Sequence, residues 1–184
     1  WEVASVRLDL EGQRRAVAEV DQKNDARWYE GTWSVRAQQF IPQAATLSGV
    51  ELLLARTSQK PDSLTVEIRE DDGGGYPSAS VLAAAAKAVA AGKYRWERFD
   101  FPAIGVDPGR PYWIVSYVDS FEQLAYPAEP SLGKYGYYIA LSSANEYPEG
   151  DSADLIVSRS GNRWEKFPSR KAWDLLFKTI STTG

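Results

Sequence analysis

The chain reads as an all-β protein, an antiparallel β-sandwich. Short apolar runs with period-two alternation recur along it; Leu64-Thr65-Val66-Glu67-Ile68-Arg69 is the cleanest, with Leu64, Val66 and Ile68 on one face. Clusters of Gly, Pro, Asp, Ser and Asn separate the runs, as at 58–63, 71–77, 107–110 and 160–163. β-Branched and aromatic residues are dense within the runs, Tyr112 to Val118 above all. Several short strands at such spacing predict a sandwich rather than a helical fold.

In chain order, residues 1–30 form a lead or an edge hairpin, to be assigned either to the sandwich or to a neighbouring module. Ala4, Val6, Leu8 and Leu10 share a face, Glu11-Gly12-Gln13 makes a turn, and Ala16 to Val20 is placed to pair back. The sandwich domain is expected over 31–184. Trp33 to Phe40 reads as a strand stopped by Pro42. Leu47 to Ala55 follows, with Val50, Leu52 and Leu54 on one face and Leu53 showing that the other is partly covered. Three glycines make Asp71 to Pro77 a loop. Val81 to Ala91 is alanine-rich, which favours helix on propensity alone. Its setting between a loop and a strand pattern favours strand, and strand is the expectation. Trp96 to Phe101 alternates, with Phe99 and Phe101 inward and Pro102 as its end. Trp96, Tyr112 and Trp113 read as core. Strands are also expected at 137–141 and 155–157, with a hairpin turn at Ser160-Gly161-Asn162-Arg163 before Trp164. The apolar run from Trp173 to Ile180 closes the domain and is expected inside a sheet.

The 184 residues suit one domain. Such a domain buries roughly 70% of its unfolded surface and needs no staples. Cys and His are both absent, which removes disulfides, thiolate sites, Ser-His-Asp triads and the commonest metal ligand. Met is absent too, even at position 1, so the chain is expected to be a piece of a longer protein tethered to other domains. With a net charge of −4 and scattered basic residues, no phosphate-tracking groove is expected, hence no nucleic acid. No apolar run approaches the ~18 residues of a membrane helix.

Several segments, taken in order, resemble a known family. They are Ala37-Gln38-Gln39-Phe40, Leu47-Ser48-Gly49-Val50, Leu64 to Arg69, Asp71 to Gly75, Pro77-Ser78 and Val81-Leu82-Ala83. Trp96, Phe99, Phe101, Tyr112-Trp113-Ile114-Val115, Asp174-Leu175 and Phe177-Lys178 continue the series. The order resembles choice-of-anchor R type domains and their carbohydrate-binding-module-like relatives in bacterial extracellular proteins. The resemblance implies a sandwich of jelly-roll type, an extracellular or cell-surface setting and a binding or spacer role without catalysis. The first 30 or so residues, and 121–136, lie outside it.

Aromatics are the chemistry the residues advertise: 7 Trp, 10 Tyr and 6 Phe. Sugar rings pack their C–H faces on Trp and Tyr while polar side chains hold the hydroxyls. Trp28, Tyr29, Trp33, Tyr76, Tyr126, Tyr135, Tyr147 and Trp164 fall in or near expected loops and are the candidate ligand-binding residues for a polysaccharide. Hydrophobic capping is the commoner role for any single one. Affinity would be modest, with Kd of order micromolar to millimolar. The Asp-Gly loop lacks a phosphate-loop Lys and offers carboxylates and carbonyls, the donors a hard cation prefers. Asp71, Asp72, Asp174 and Gln39 are therefore candidate ligands for a structural calcium. Catalysis would need converging carboxylates or a Tyr/Arg/Lys cluster, with Tyr137, Tyr138 and Lys134 the nearest approach to one. The expected function is a non-catalytic carbohydrate-binding module of a secreted or surface-attached protein. The alternative is a structural or adhesive spacer on the cell surface, and the distant alternative a polysaccharide lyase or glycoside hydrolase domain.

Overall fold

The computed structural model describes residues 17–25, 29–30, 36–56, 63–118, 137–142, 147, 150–158, 161–166 and 174–183. These residues form thirteen strands and no helix. The first seven are β1 (Val17–Asn24), β2 (Tyr29–Glu30), β3 (Arg36–Phe40), β4 (Thr46–Arg56), β5 (Leu64–Asp71), β6 (Pro77–Lys87) and β7 (Gly92–Gly105). The remainder are β8 (Tyr112–Val118), β9 (Tyr137–Ser142), β10 (Ser152–Ser158), β11 (Gly161–Glu165), β12 (Asp174–Leu175) and β13 (Phe177–Thr183).

They make two antiparallel sheets packed face to face. A seven-stranded sheet runs β1-β13-β4-β9-β12, with β2 on β9 and β7 on β4; a six-stranded sheet runs β11-β10-β3-β8-β5-β6. The pairs β5–β6, β4–β7 and β3–β8 are nested in sequence and alternate between the sheets. A ribbon folded on itself and wound around a core has this pattern, and it is the jelly-roll winding.

Alternation decides what enters the core. Val50, Leu52, Leu54, Phe99, Phe101, Tyr137 and Phe177 come from one sheet. Phe40, Leu64, Val66, Ile68, Tyr112, Ile114 and Val118 come from the other. Each fully buried side chain of this size contributes about 1.5–3 kcal/mol. The Phe40 ring lies 6.4 Å from that of Phe177 across the sandwich, and the Tyr147 ring meets Phe177 edge-on at 5.0 Å.

The inward faces of β4, β5 and β7 are those the alternation predicts. The alanine-rich segment is a strand as far as Lys87, and 88–91 lie outside it; β6 pairs with β5 from Leu64↔Lys87 to Ile68↔Ala83 and packs Leu82, Ala83 and Ala85 on the core. Packing thus overrides helix propensity. Pro102 does not end its strand. It lies in β7 opposite a register shift between Leu47↔Ile104 and Gly49↔Asp100, where a missing N–H breaks no ladder bond. The β10–β11 hairpin pairs Ser158 with Gly161, so Gly161, Asn162 and Arg163 belong to the strand rather than to the turn. β1 pairs with β13 at the edge of the larger sheet and so belongs to the sandwich; the rest of the expected N-terminal hairpin, residues 1–16, lies outside the described residues. β13 lies between β1 and β4, inside a sheet as its apolar sequence predicts.

A polar bridge crosses the interior. Gln38 and Asp174 are both fully buried. Gln38 Nε2 donates to Asp174 Oδ1 at 3.3 Å, and Gln38 Oε1 accepts from Leu175 N at 2.8 Å. The Tyr147 amide donates to Asp174 Oδ2 at 3.4 Å. These bonds tie β3 of one sheet to β12 of the other and satisfy groups that would be costly to bury unpaired.

Candidate functional site: the outer face of the six-stranded sheet

The residues of β5, β8 and β3 that do not face the core face outward together. Registers place Thr65 opposite Tyr117, Glu67 opposite Val115 and Arg69 opposite Trp113. On the other side of β8, Ala37 lies opposite Val115 and Gln39 opposite Trp113. One patch results. Ala37, Trp113, Val115 and Ala153 form its buried floor, and Tyr76, Tyr117 and Trp164 pack around them half-exposed.

Trp113 is 0% exposed although it sits on the outer side of its sheet. Its indole N–H donates to Asp71 Oδ2 at 2.9 Å, and Gln39 Nε2 donates to the same oxygen at 3.1 Å. Asp71 Oδ1 accepts from the amides of Gly73 (2.8 Å) and Gly75 (3.2 Å). Asp72 Oδ1 accepts from Gly74 (2.7 Å) and Tyr76 (3.1 Å). The two carboxylates therefore fold the DDGGGY loop onto the sheet and present Tyr76 beside Trp113. Gly73 and Gly75 hold φ of 86° and 82°, the left-handed backbone that the tight loop requires. Burial pushes the Asp71 pKa up, but bonds from Trp113, Gly73, Gly75 and Gln39 outweigh it, and the carboxyl stays below its usual range.

Two charged clusters brace the patch. Glu67 Oε1 accepts from the Tyr117 hydroxyl at 2.7 Å, while Arg69 holds Glu67 Oε2 at 2.6 Å and donates to Ser78 O. Lys166, just past β11, pairs with Asp151 at 2.7 Å. Its ammonium lies 5.2 Å from the Tyr76 ring centroid and 5.7 Å from the Trp113 ring, within cation–π range of both. Asp151 is held by the close approach of Gly150 to β3, where Gln39 N donates to Asp151 O at 2.8 Å.

Of the aromatics the sequence singles out, Tyr76 and Trp164 come together here. Tyr147 is corrected: it is 3% exposed, and its hydroxyl accepts from Ile41 N at 3.1 Å. Its ring packs edge-on against Phe177, so it presents no face to a ligand. Tyr29 pairs through its backbone with Leu141, while Trp28, Trp33, Tyr126 and Tyr135 lie outside the described residues. Trp96 is corrected too: it lies half-buried on the outer side of the larger sheet, under the ammonium of Lys178 at 4.0 Å.

The four candidate metal ligands do not form one set. Gln39 and Asp71 meet on the outer face, whereas Asp174 meets Gln38 in the interior, because adjacent strand residues point to opposite sides. The Asp71 oxygens face N–H donors rather than an open coordination space. No grouping of three or more potential metal ligands occurs among the described residues. Tyr137 and Tyr138 likewise face opposite sides of β9, and Tyr137 Oη accepts from Val89 N, so they do not converge; Lys134 lies outside the described residues.

Alternation in β5 and β8 could have located Glu67, Arg69, Trp113 and Tyr117, since each shares the face opposite the core residues. Lys166 and Asp151 carried no such signal, for their meeting depends on the β10–β11 hairpin pairing beside β3 in the sheet. No family model matches the chain, and no curated protein matches it. Among the described residues, no helix is long and apolar enough to cross a membrane.

Proposed function

We propose that the domain is a non-catalytic carbohydrate-binding module that holds polysaccharide on the outer face of its six-stranded sheet. One observation supports this most: Tyr76, Tyr117 and Trp164 ring a buried floor of Trp113, Ala37, Val115 and Ala153 and remain partly open to solvent. Rings held this way lose little entropy when a sugar stacks on them. Arg69, Glu67, Gln39 and Lys166 stand beside them with hydrogen-bonding groups for hydroxyls. Such a module belongs on a longer secreted or surface-attached bacterial chain, in keeping with the family resemblance. Both Glu67 oxygens are engaged by neighbours, which supports a bracing role over acid–base chemistry.

A second reading, a cell-surface spacer, is favoured by the burial of Trp113, Ala37, Val115 and Ala153, which the chain's own side chains cover. A glycan array probed with the 184-residue chain separates the two. Selective binding to one polysaccharide class supports the module. No binding to any glycan sinks it and leaves the spacer. Chelator is expected to leave binding unchanged, because the Asp71 loop is closed by amide and indole N–H groups.

A further inference from the structure

We infer that the ligand of this face is an uncharged glycan, and that the face selects against uronic-acid and sulfated polymers. This rests on the proposed module reading and deepens it. The argument is the charge inventory of the patch. Its described cations are Arg69 and Lys166; its described carboxylates are Glu67, Asp71, Asp72 and Asp151.

Each cation is already spoken for. Arg69 holds Glu67 at 2.6 Å and spends a further N–H on Ser78 O. Lys166 holds Asp151 at 2.7 Å and lies over the Tyr76 ring. The other two carboxylates, Asp71 and Asp72, are bonded by neutral N–H donors, and among the described residues no cation pairs with either. The described part of the patch thus carries a net negative charge. Among the described residues, a uronate or sulfate docking here meets repulsion and gains a cation only by breaking an existing pair. A neutral sugar needs neither: hydroxyls can bond to oxygens and N–H groups of pairs that stay intact. Polyanion-binding faces need the opposite arrangement, basic groups left without internal partners.

The test is affinity electrophoresis of the whole chain at low salt, where charge effects are least screened. Neutral polymers (mixed-linkage glucan, xylan, galactomannan) are compared with polygalacturonate, alginate and a sulfated glycan. Trp164→Ala and Tyr76→Ala report whether retardation uses this face, the loop variant serving if the strand variant misfolds. The expected result is retardation by a neutral polymer, lost in these variants, and none by the anionic polymers. Asp151→Asn removes the partner of Lys166, and is expected to shift the polygalacturonate-to-neutral binding ratio about two- to fivefold toward the anion. Anionic polymers that retard the wild type as strongly as neutral ones, through Trp164 and Tyr76, overturn the selectivity and leave the module reading standing. Retardation by no polymer overturns both.

Discussion

Gly150→Ala is expected to destabilise the domain more than any other single methyl added to a described glycine. A Cβ built there lies 2.1 Å from the Gln39 carbonyl oxygen, 2.9 Å from the Gln39 carbonyl carbon and 2.9 Å from Tyr147 Cε1. Normal contact with a carbonyl oxygen needs more than another 1 Å, and the obstacle is backbone of β3, paired on both edges. The loop must retreat instead. Retreat breaks Gln39 N–Asp151 O (2.8 Å) and pulls Tyr147 off Phe177. Overpacking of this kind costs about 1–3 kcal/mol, and the lost backbone bond adds roughly 1 kcal/mol. Gly150 is not among the positive-φ glycines, so the backbone angle itself tolerates alanine. The unfolded-state gain of Gly→Ala, about 0.4–1 kcal/mol, then works in the other direction. The net expectation is a loss of about 1–3 kcal/mol. Urea unfolding followed by tryptophan fluorescence reads it as a fall in midpoint at unchanged slope. Gly105→Ala is the control. Its Cβ meets nothing within 4 Å and its φ is not positive, so it should match or slightly exceed wild-type stability. Equal midpoints for Gly150→Ala and wild type would refute the packing of the 150–151 loop on β3, and with it the placement of Asp151 and Lys166.

Two further outcomes follow from the patch itself. Trp113→Phe keeps most of the floor but abandons the bond to Asp71, and should cost about 1–3 kcal/mol, against about 3–5 kcal/mol for Trp113→Ala; urea midpoints that do not rank the two this way contradict the bonded floor. Asp71→Asn should weaken the domain at neutral pH and progressively less in acid. The folded-state pKa of Asp71 is lowered, so its stabilisation is complete above its ordinary value of 3.8 and is lost as pH falls through the folded value. A stability gap between wild type and Asp71→Asn that stays constant from pH about 7 down to about 2.5 would contradict the role given to the charge.

How far the residues alone foretell this structure depends on whether a feature is local. Leu64 to Arg69 announces its inward face because one sheet face is apolar and the period is two. The same period holds for Trp113, Val115 and Tyr117, but their face is also covered, so apolar content marks both sides and the outer patch is hidden in a strand that reads simply as core. The alanine run was legible only through its neighbours. Pro102 misleads because a bulge, which depends on the partner strand, supplies a place inside β7 that tolerates it. Tyr147 falls in a segment rich in Ser, Asn, Pro and Gly and reads as exposed. Its burial comes from Asp174 and Phe177, residues near the far end of the chain. The adjacent glutamines divide for the same reason: Gln38 is drawn inward by Asp174 and Leu175, and Gln39 outward by Asp71.

The central claim is that glycan lies on the face carrying Trp113, Trp164, Tyr76 and Tyr117. The most direct measurement is a two-dimensional NMR titration of the indole N–H resonances with an oligosaccharide from the class an array selects. The account predicts saturable shifts for Trp164 and Trp113, with Trp96, on the opposite sheet, unmoved. Shifts at Trp96 with Trp164 and Trp113 silent would place the ligand elsewhere and contradict it.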